Sequence, residues 1–448
     1  MCNEMLARKI SEKIFSFQNY GKMLRIFRFL NFFKKRDKSI HMKKRIIALL
    51  SKYPKLMKLI SSVYNLFWGE MRLFYYIFRV FPVDTKKILF CSYYGKGYGC
   101  NPKYIAEEII RQNLGYDMRW LIKKGLEKDH GLPPQIKPVR YGSLRAVYEH
   151  VTANVWVDNS RKTGSIRKRK GQFYIQTWHG SLGIKRLERD VEHVLDKSYI
   201  RRAINDSKMT DIFLSNCSYF RDIVTTSYWY DGEILNQGLP RNDIMFGDIQ
   251  AVKRKVWQHF NLQPGTKIAL YAPTFRKSYA IDIYDINIEM VLSALEKRFS
   301  GSWAFLVRLH PNISHKDMPV KYDHRILNAS HYNDIQELVI STDVGISDYS
   351  GTMYDFGLMR LPCFLYTPDI EAYMQDRNFY FPMSELPFII TTNNAELEKA
   401  ILEFDQDAYK KRLEAHLETK EVTDDGNASS YVVQRIKDHI AGSTKNLV

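Results

Sequence analysis

Cysteine is scarce in this chain, and uninterrupted apolar runs are missing from it. Five cysteines are spread over 448 residues (Cys2, Cys91, Cys100, Cys217 and Cys363) with no CxxC pair, which excludes a disulfide-stapled scaffold and a zinc ribbon and suits a reducing compartment. A membrane span needs about 20 mostly apolar residues, and the best stretch, 59–82, is broken by Glu70, Arg72 and Arg79. No secretory signal, with its apolar core and small-residue cleavage site, is expected either. There is no GxxxxGK[ST] P-loop and no HExxH, and the turn at 95–99 (GKGYG) falls short of a full GxGxxG. Neither a metal nor a cofactor is therefore expected. What is present is ordinary globular material: 45% hydrophobic and 26% charged residues, with 23 Gly and 15 Pro. That is enough for two or three domains with real cores.

Net charge is +18, and its distribution is uneven. Residues 1–83 carry 18 Lys and Arg against Glu4, Glu12, Asp37 and Glu70, so +14 of the total sits there. The cations are interleaved with apolar groups: Ile26, Phe27, Phe29, Leu30, Phe32 and Phe33 lie beside Arg25, Arg28, Lys34, Lys35 and Arg36. This is the composition of amphipathic helices on an anionic bilayer surface. Helices docked on the body and a basic arm for nucleic acid are the alternatives, and the dense aromatics argue against the nucleic-acid reading.

From residue 84 the pattern changes to short apolar strands alternating with helical stretches. Strands are expected at 87–92, 118–122, 154–157, 173–175 and 211–214. After a linker-like NLQPGTK (261–267), a second series follows at 268–271, 303–308, 325–327, 344–347 and 363–366. Such alternation implies parallel sheets covered on both faces. The expectation is an α/β protein of two doubly wound, Rossmann-like domains, 84–260 and 261–448, facing across a cleft behind the basic segment 1–83. Ligands of such sheets bind at the carboxyl ends of the strands.

Those ends carry the chemistry. His179 lies just past the strand of 173–175 and precedes Gly180, a placement suited to a general base as well as to a purely structural histidine. Arg308 and His310 end a strand of the second half and, two apart, project to one face, where both can meet one anion. Ser347, Asp348, Ser350, Gly351 and Thr352 lie where a strand turns into a helix, an arrangement suited to a diphosphate or to a plain N-cap. Thr274 and Arg276 close the strand of 268–271. Arg241, in GLPRND (238–243), sits between the halves and either holds a phosphate or pins the hinge. The run 161–171 (RKTGSIRKRKG) is a solvated charge run or a guide for a polyanionic acceptor.

Taken in order, GKGYGCNPKYI (95–105), QTWHGSLGIKRLERD (176–190), GLPRND (238–243), YAPTFR (271–276), RLHPN (308–312), SDYSGTMYDF (347–356) and RNFYFP (377–382) resemble the CDP-glycerol glycerophosphotransferase family of teichoic acid and capsule synthesis. The resemblance implies a GT-B-like fold, a peripheral position at the cytoplasmic face of the cell membrane, a CDP-alditol donor and a lipid-linked glycan or polyol-phosphate acceptor, with no nucleic acid. It implies that an acceptor hydroxyl attacks the β-phosphorus of the donor and releases CMP. His179 would then be the base, with Arg308 and His310 binding or protonating phosphates. Ser347, Asp348, Ser350, Gly351 and Thr352 would form the diphosphate pocket, supported by Thr274, Arg276 and Arg241. Two departures stand out. The family's His-Gly-Thr-Pro-Leu-Lys is His-Gly-Ser-Leu-Gly-Ile-Lys here (179–185), and its Ser-Asp-Tyr-Ser-Ser ends in Gly351. They leave glycerol against ribitol open. A nucleotide-sugar glycosyltransferase of the same architecture and an inactive membrane-bound binding protein are the rival readings.

Overall fold

The strands form two all-parallel sheets, as a chain of buried β/α units requires. The computed structural model describes residues 73–126, 131–180, 182–274, 285–309, 320–376 and 378–445, all within the unit Met71–Val448. The amphipathic segment expected at 1–83 lies outside the described residues up to residue 72. Among the described residues no helix is long and apolar enough to cross a membrane.

The first sheet contains β1 (Asp84–Cys91), β2 (Asp117–Ile122), β3 (Ile136–Arg140), β4 (Ala153–Asp158), β5 (Phe173–Gln176), β6 (Ile212–Ser215) and β7 (Glu233–Asn236), in the order 3-2-1-4-5-6-7. The second contains β8 (Lys267–Tyr271), β9 (Trp303–Val307), β10 (Ile326–Asn328), β11 (Val344–Ser347), β12 (Cys363–Tyr366) and β13 (Ile389–Thr391), in the order 10-9-8-11-12-13. Strand order reverses between β1 and β4 in one sheet and between β8 and β11 in the other. These switch points open crevices at the carboxyl ends of the strands.

The central strands are buried on both faces, which is why they read as continuous apolar runs in the sequence. Ile88–Cys91 of β1 pairs with Met118–Leu121 on one side and Val155–Asp158 on the other. The crossover helices include α1 (Cys100–Arg111) after β1, α2 (Leu144–Thr152), α3 (Lys197–Ser207), α4 (Ser218–Ser227), α5 (Ile249–His259), α6 (Ile288–Phe299), α7 (Ile335–Ser341) and α8 (Thr352–Leu358) after β11. Side-chain caps set several starts: Ser143 accepts from the Ala146 N–H, Asp248 from Ala251, and Asp334 from Gln336, each worth about 1 kcal/mol.

The chain crosses between the halves twice. The first crossing runs from β7 through Gly238–Asn242 to α5. The second returns from the second half into α9 (Ala428–Lys445), whose Val432, Val433, Ile436 and Ile440 join Ile88, Phe90, Ile105 and Val155 in the core of the first sheet. The crossings are stitched together: Asp243 accepts from the Ala428 and Ser429 N–H groups at 3.0 and 2.7 Å, and Asp424 from the Leu239 N–H at 2.9 Å. The stretch taken from sequence as 261–448 therefore ends on the first sheet.

The basic run of 161–171 is not an open cationic strip. Arg161 is buried against Glu188 at 2.9 Å and Asp206 at 3.2 Å, and Lys162 against Asp158 at 2.8 Å. Lys168 is paired with Asp211, and Arg169 donates to the Phe81 carbonyl at 2.7 Å. Buried cations need partners, and Asp158 at the end of β4, Asp206 of α3 and Glu188 of the 188–194 turn supply them.

Candidate active site

The two sets of strand ends face one cleft of about 720 Å³, lined among others by Tyr93, His179, Lys185, Arg241, Arg308, Ser350, Gly351, Thr352 and Asp355. The first half contributes the loops after β1 and β5; the second contributes those after β8, β9 and β11.

His179 leaves the sheet just past β5. Its Nδ1 lies 2.9 Å from the Asn159 carbonyl oxygen. A carbonyl only accepts, so Nδ1 carries the proton and Nε2 keeps its lone pair. The ring stacks on Trp178 (centroids 4.6 Å apart) and lies 5.7 Å from the Tyr93 ring. The surrounding cleft walls take water from the ring and hold its pKa below the usual imidazole value. The Asn159 bond works against that shift and Arg241 works with it. The result is an imidazole that is neutral at pH 7 with one basic nitrogen free of the Asn159 bond.

Arg241 is 6% exposed and joins both halves. It donates through Nη1 to the His179 carbonyl at 2.8 Å and through Nη2 to Gln336 Oε1 at 2.9 Å, and it forms a very short ion pair with Asp355 of α8. Burial opposes its charge, but the Asp355 carboxylate outweighs that and holds its pKa up. Its Nε has no hydrogen-bond partner among the described residues. Of the two readings left open by the sequence, the contacts made are those of a hinge pin. Arg308 lines the same cleft, with Nη1 donating to the Ala329 and Tyr332 carbonyls at 3.1 and 2.7 Å.

The loop after β11 divides its labour. Ser347 is fully buried and donates to the Ala272 carbonyl at 2.9 Å. Asp348, 1% exposed, accepts from the Thr274 N–H (2.8 Å) and hydroxyl (2.7 Å) and from the Ser350 N–H (3.2 Å). Ser347, Asp348 and Thr274 thus brace the loop from beneath, whereas Ser350, Gly351 and Thr352 line the cleft, with the Ser350 and Thr352 hydroxyls 3.0 Å apart. A Cβ at Gly351 would stand 3.2 Å from the Leu182 carbonyl oxygen, so the two departures from the family pattern touch one another across the cleft. His310 and Arg276 lie outside the described residues.

Three groups lining or lying beneath the cleft were not singled out from the sequence. Lys185 reaches Thr274 Oγ1 at 3.4 Å and lies over the Tyr373 ring; its only signal was its place inside the HGSLGIK motif. Asp355 had only its place inside the SDYSGTMYDF motif. Asn101, fully buried, donates to the Thr177 and Trp178 carbonyls just before His179.

A family model described as CDP-glycerol:poly(glycerophosphate) glycerophosphotransferase matches residues 73–438. The teichoic acid poly(glycerol phosphate) polymerase of Staphylococcus epidermidis is 31% identical over 364 residues, which cover 78% of this chain and 50% of that protein. Its counterpart from Bacillus subtilis is 30% identical over 387 residues, 82% and 50% of the two chains. The chain spans about half the length of these two curated relatives. A solved structure of the wall teichoic acid polymerase TagF is similar with a TM-score of 0.74 at 27% identity, covering 88% of this chain and 99% of that one.

Proposed function

The chain belongs to the CDP-glycerol:poly(glycerophosphate) glycerophosphotransferase family, and from that premise we propose that it transfers glycerol phosphate from CDP-glycerol to an acceptor hydroxyl in teichoic acid synthesis, releasing CMP. The acceptor oxygen forms a bond to the β-phosphorus as the bond from that phosphorus to the CMP oxygen breaks. The acceptor proton passes to Nε2 of His179, and CMP leaves with the bridging oxygen. Arg308 would offset charge on the phosphoryl oxygens, which is the main task in such a transfer, while Arg241 would hold the two halves around them. Ser350 and Thr352 would bind the diphosphate from the second half, on a loop braced by Ser347, Asp348 and Thr274. His310 and Arg276 retain their proposed places as phosphate ligands or, for His310, as proton donor to CMP.

The observation that carries this reading is the fixed tautomer of His179, whose Nδ1 is held by Asn159 at 2.9 Å in a cleft also lined by Arg241 and Arg308. The test is CMP release from CDP-glycerol and from CDP-ribitol with a lipid-linked acceptor analogue. Loss of a well-placed base typically costs about 10²–10⁴-fold, so His179→Ala should fall by that factor. Release of UDP or GDP from nucleotide sugars instead, with no CMP from either alditol, would replace this reading by that of a glycosyltransferase.

A membrane-linked acceptor and a position at the anionic cytoplasmic face of the membrane form part of the same proposal. Support comes from Leu73, Tyr76, Ile77, Val80 and Phe81, exposed large apolar residues on one short stretch, with Arg79 among them and Arg169 bonded to the Phe81 carbonyl. Apolar groups ringed by cations suit a bilayer boundary. Sedimentation with anionic and with neutral vesicles would test it.

A further inference from the structure

The backbone that presents His179 has three successive carbonyls, and each is captured. Thr177 O and Trp178 O both accept from Asn101 Nδ2, at 3.0 and 3.1 Å, and His179 O accepts from Arg241 Nη1 at 2.8 Å. Asn101 is wholly buried on the first turn of α1, and its Oδ1 accepts the Arg241 backbone N–H at 3.0 Å. One amide therefore joins the strand-end peptide to the residue that captures the next carbonyl.

The peptide so held is strained. Trp178 has φ +48°, a left-handed conformation that a bulky side chain rarely adopts unless its surroundings impose it. Its N–H is taken by Gln176 Oε1 at 3.0 Å and its ring stacks on His179. Without Asn101, the left-handed residue loses the two carbonyl bonds that hold its peptides against relaxation toward extended backbone. Such a rotation displaces the next residue, His179, from the Asn159 carbonyl that fixes its tautomer. Through Arg241 the same clamp reaches Asp355, three residues beyond Thr352 on α8.

We propose that Asn101 is a positioning residue of the phosphotransfer. It locks Trp178 in its left-handed conformation and so aims His179 Nε2 into the cleft while Arg241 ties that loop to the second half. The proposal rests on the phosphotransferase reading for the meaning of kcat, but the geometry of His179 can be read without any substrate.

Asn101→Asp keeps the side-chain shape and loses both donors. Displacing a reacting group by an ångström costs on the order of 10²-fold. The expected result with CDP-glycerol is a kcat lowered by about that factor and a donor KM changed by no more than about threefold. The second readout is ethoxyformylation of His179 by diethyl pyrocarbonate as a function of pH, mapped by peptide mass spectrometry in the full chain. The wild-type midpoint should lie below about 6.5 and should move in Asn101→Ser, an uncharged variant run alongside, as the ring leaves the Asn159 carbonyl.

A folded variant with wild-type kcat overturns the proposal. So does a lowered kcat with an unmoved His179 midpoint, which is what a merely structural asparagine would give. If the wild type itself releases no CMP from CDP-glycerol, the substrate reading fails; a midpoint that still moves upholds the positioning role, and one that does not removes it. Should the carboxylate prevent folding, Asn101→Ser alone carries both assays with the same criteria.

Discussion

Two histidines of the first half are held below the ordinary imidazole pKa, His150 buried for packing and His179 at the cleft wall for the proposed chemistry. His150 of α2 is buried, with Nδ1 on the Ala146 carbonyl at 2.7 Å, Nε2 without a hydrogen-bond partner among the described residues, and Trp156 edge-on to its ring. Burial, aided by Lys162 and opposed by the Ala146 bond, brings its pKa down to about 3. The unfolded chain takes up this proton near pH 6.5 and the folded chain only near 3. The stabilisation is therefore fully present above 6.5 and is lost as pH falls toward 3, at up to about 1.4 kcal/mol per pH unit. Urea midpoints measured between pH 7 and 4.5 should fall less steeply in His150→Leu than in the wild type; equal slopes would assign the acid sensitivity elsewhere. His179 is also held below the ordinary imidazole value, and as a base it works only when neutral. The acid limb of kcat/KM for CMP release should accordingly have its midpoint below about 6.5. A limb centred above that value would count against His179 as the base.

At the scale of elements, the loop after β11 depends on how closely α8 packs on its strand. Gly345 in β11 faces Phe356 of α8, and a Cβ there would stand only 2.4–2.7 Å from the Phe356 ring. Gly345 is buried and Phe356 is fully enclosed by apolar neighbours, so the ring cannot swing into solvent. Gly345→Ala should cost about 1–3 kcal/mol by overpacking and should raise the donor KM by displacing Ser350–Thr352. Chemical denaturation and CMP-release kinetics measure the two effects, and a variant of unchanged stability would show that the helix can move without cost. The strands invisible to sequence reasoning share one physical trait. β3, β7 and β13 are all sheet edges, with burial too partial to leave an unbroken apolar run. β3 also contains Pro138, which an edge strand tolerates and a central one does not. The central strands, buried on both faces, were legible for the opposite reason.

For the whole molecule, the last helix matters more than its position in the sequence suggests. α9 completes the core of the first sheet although about 190 residues of the second half intervene between it and β7. Val433 is fully buried there, and a carboxylate at that point would be an unpaired buried charge. Val433→Asp should lower the melting temperature and strip hydrogen-exchange protection from β1 and β4 before β8 and β11. Simultaneous loss from both sheets would instead mean that the halves unfold as one cooperative body. The sequence alone determined the class of fold, because parallel strands buried on both faces and their crossover helices leave local periodicities. It also marked His179, Arg308 and the Ser347–Thr352 loop as strand-end candidates, because chain order places such residues at the carboxyl ends. Only the tertiary structure decided what each of them touches. Asn101, Arg241 and Asp355 are each more than 100 residues apart, and their hydrogen bonds arise from the approach of two separately folded sheets, which no local pattern encodes.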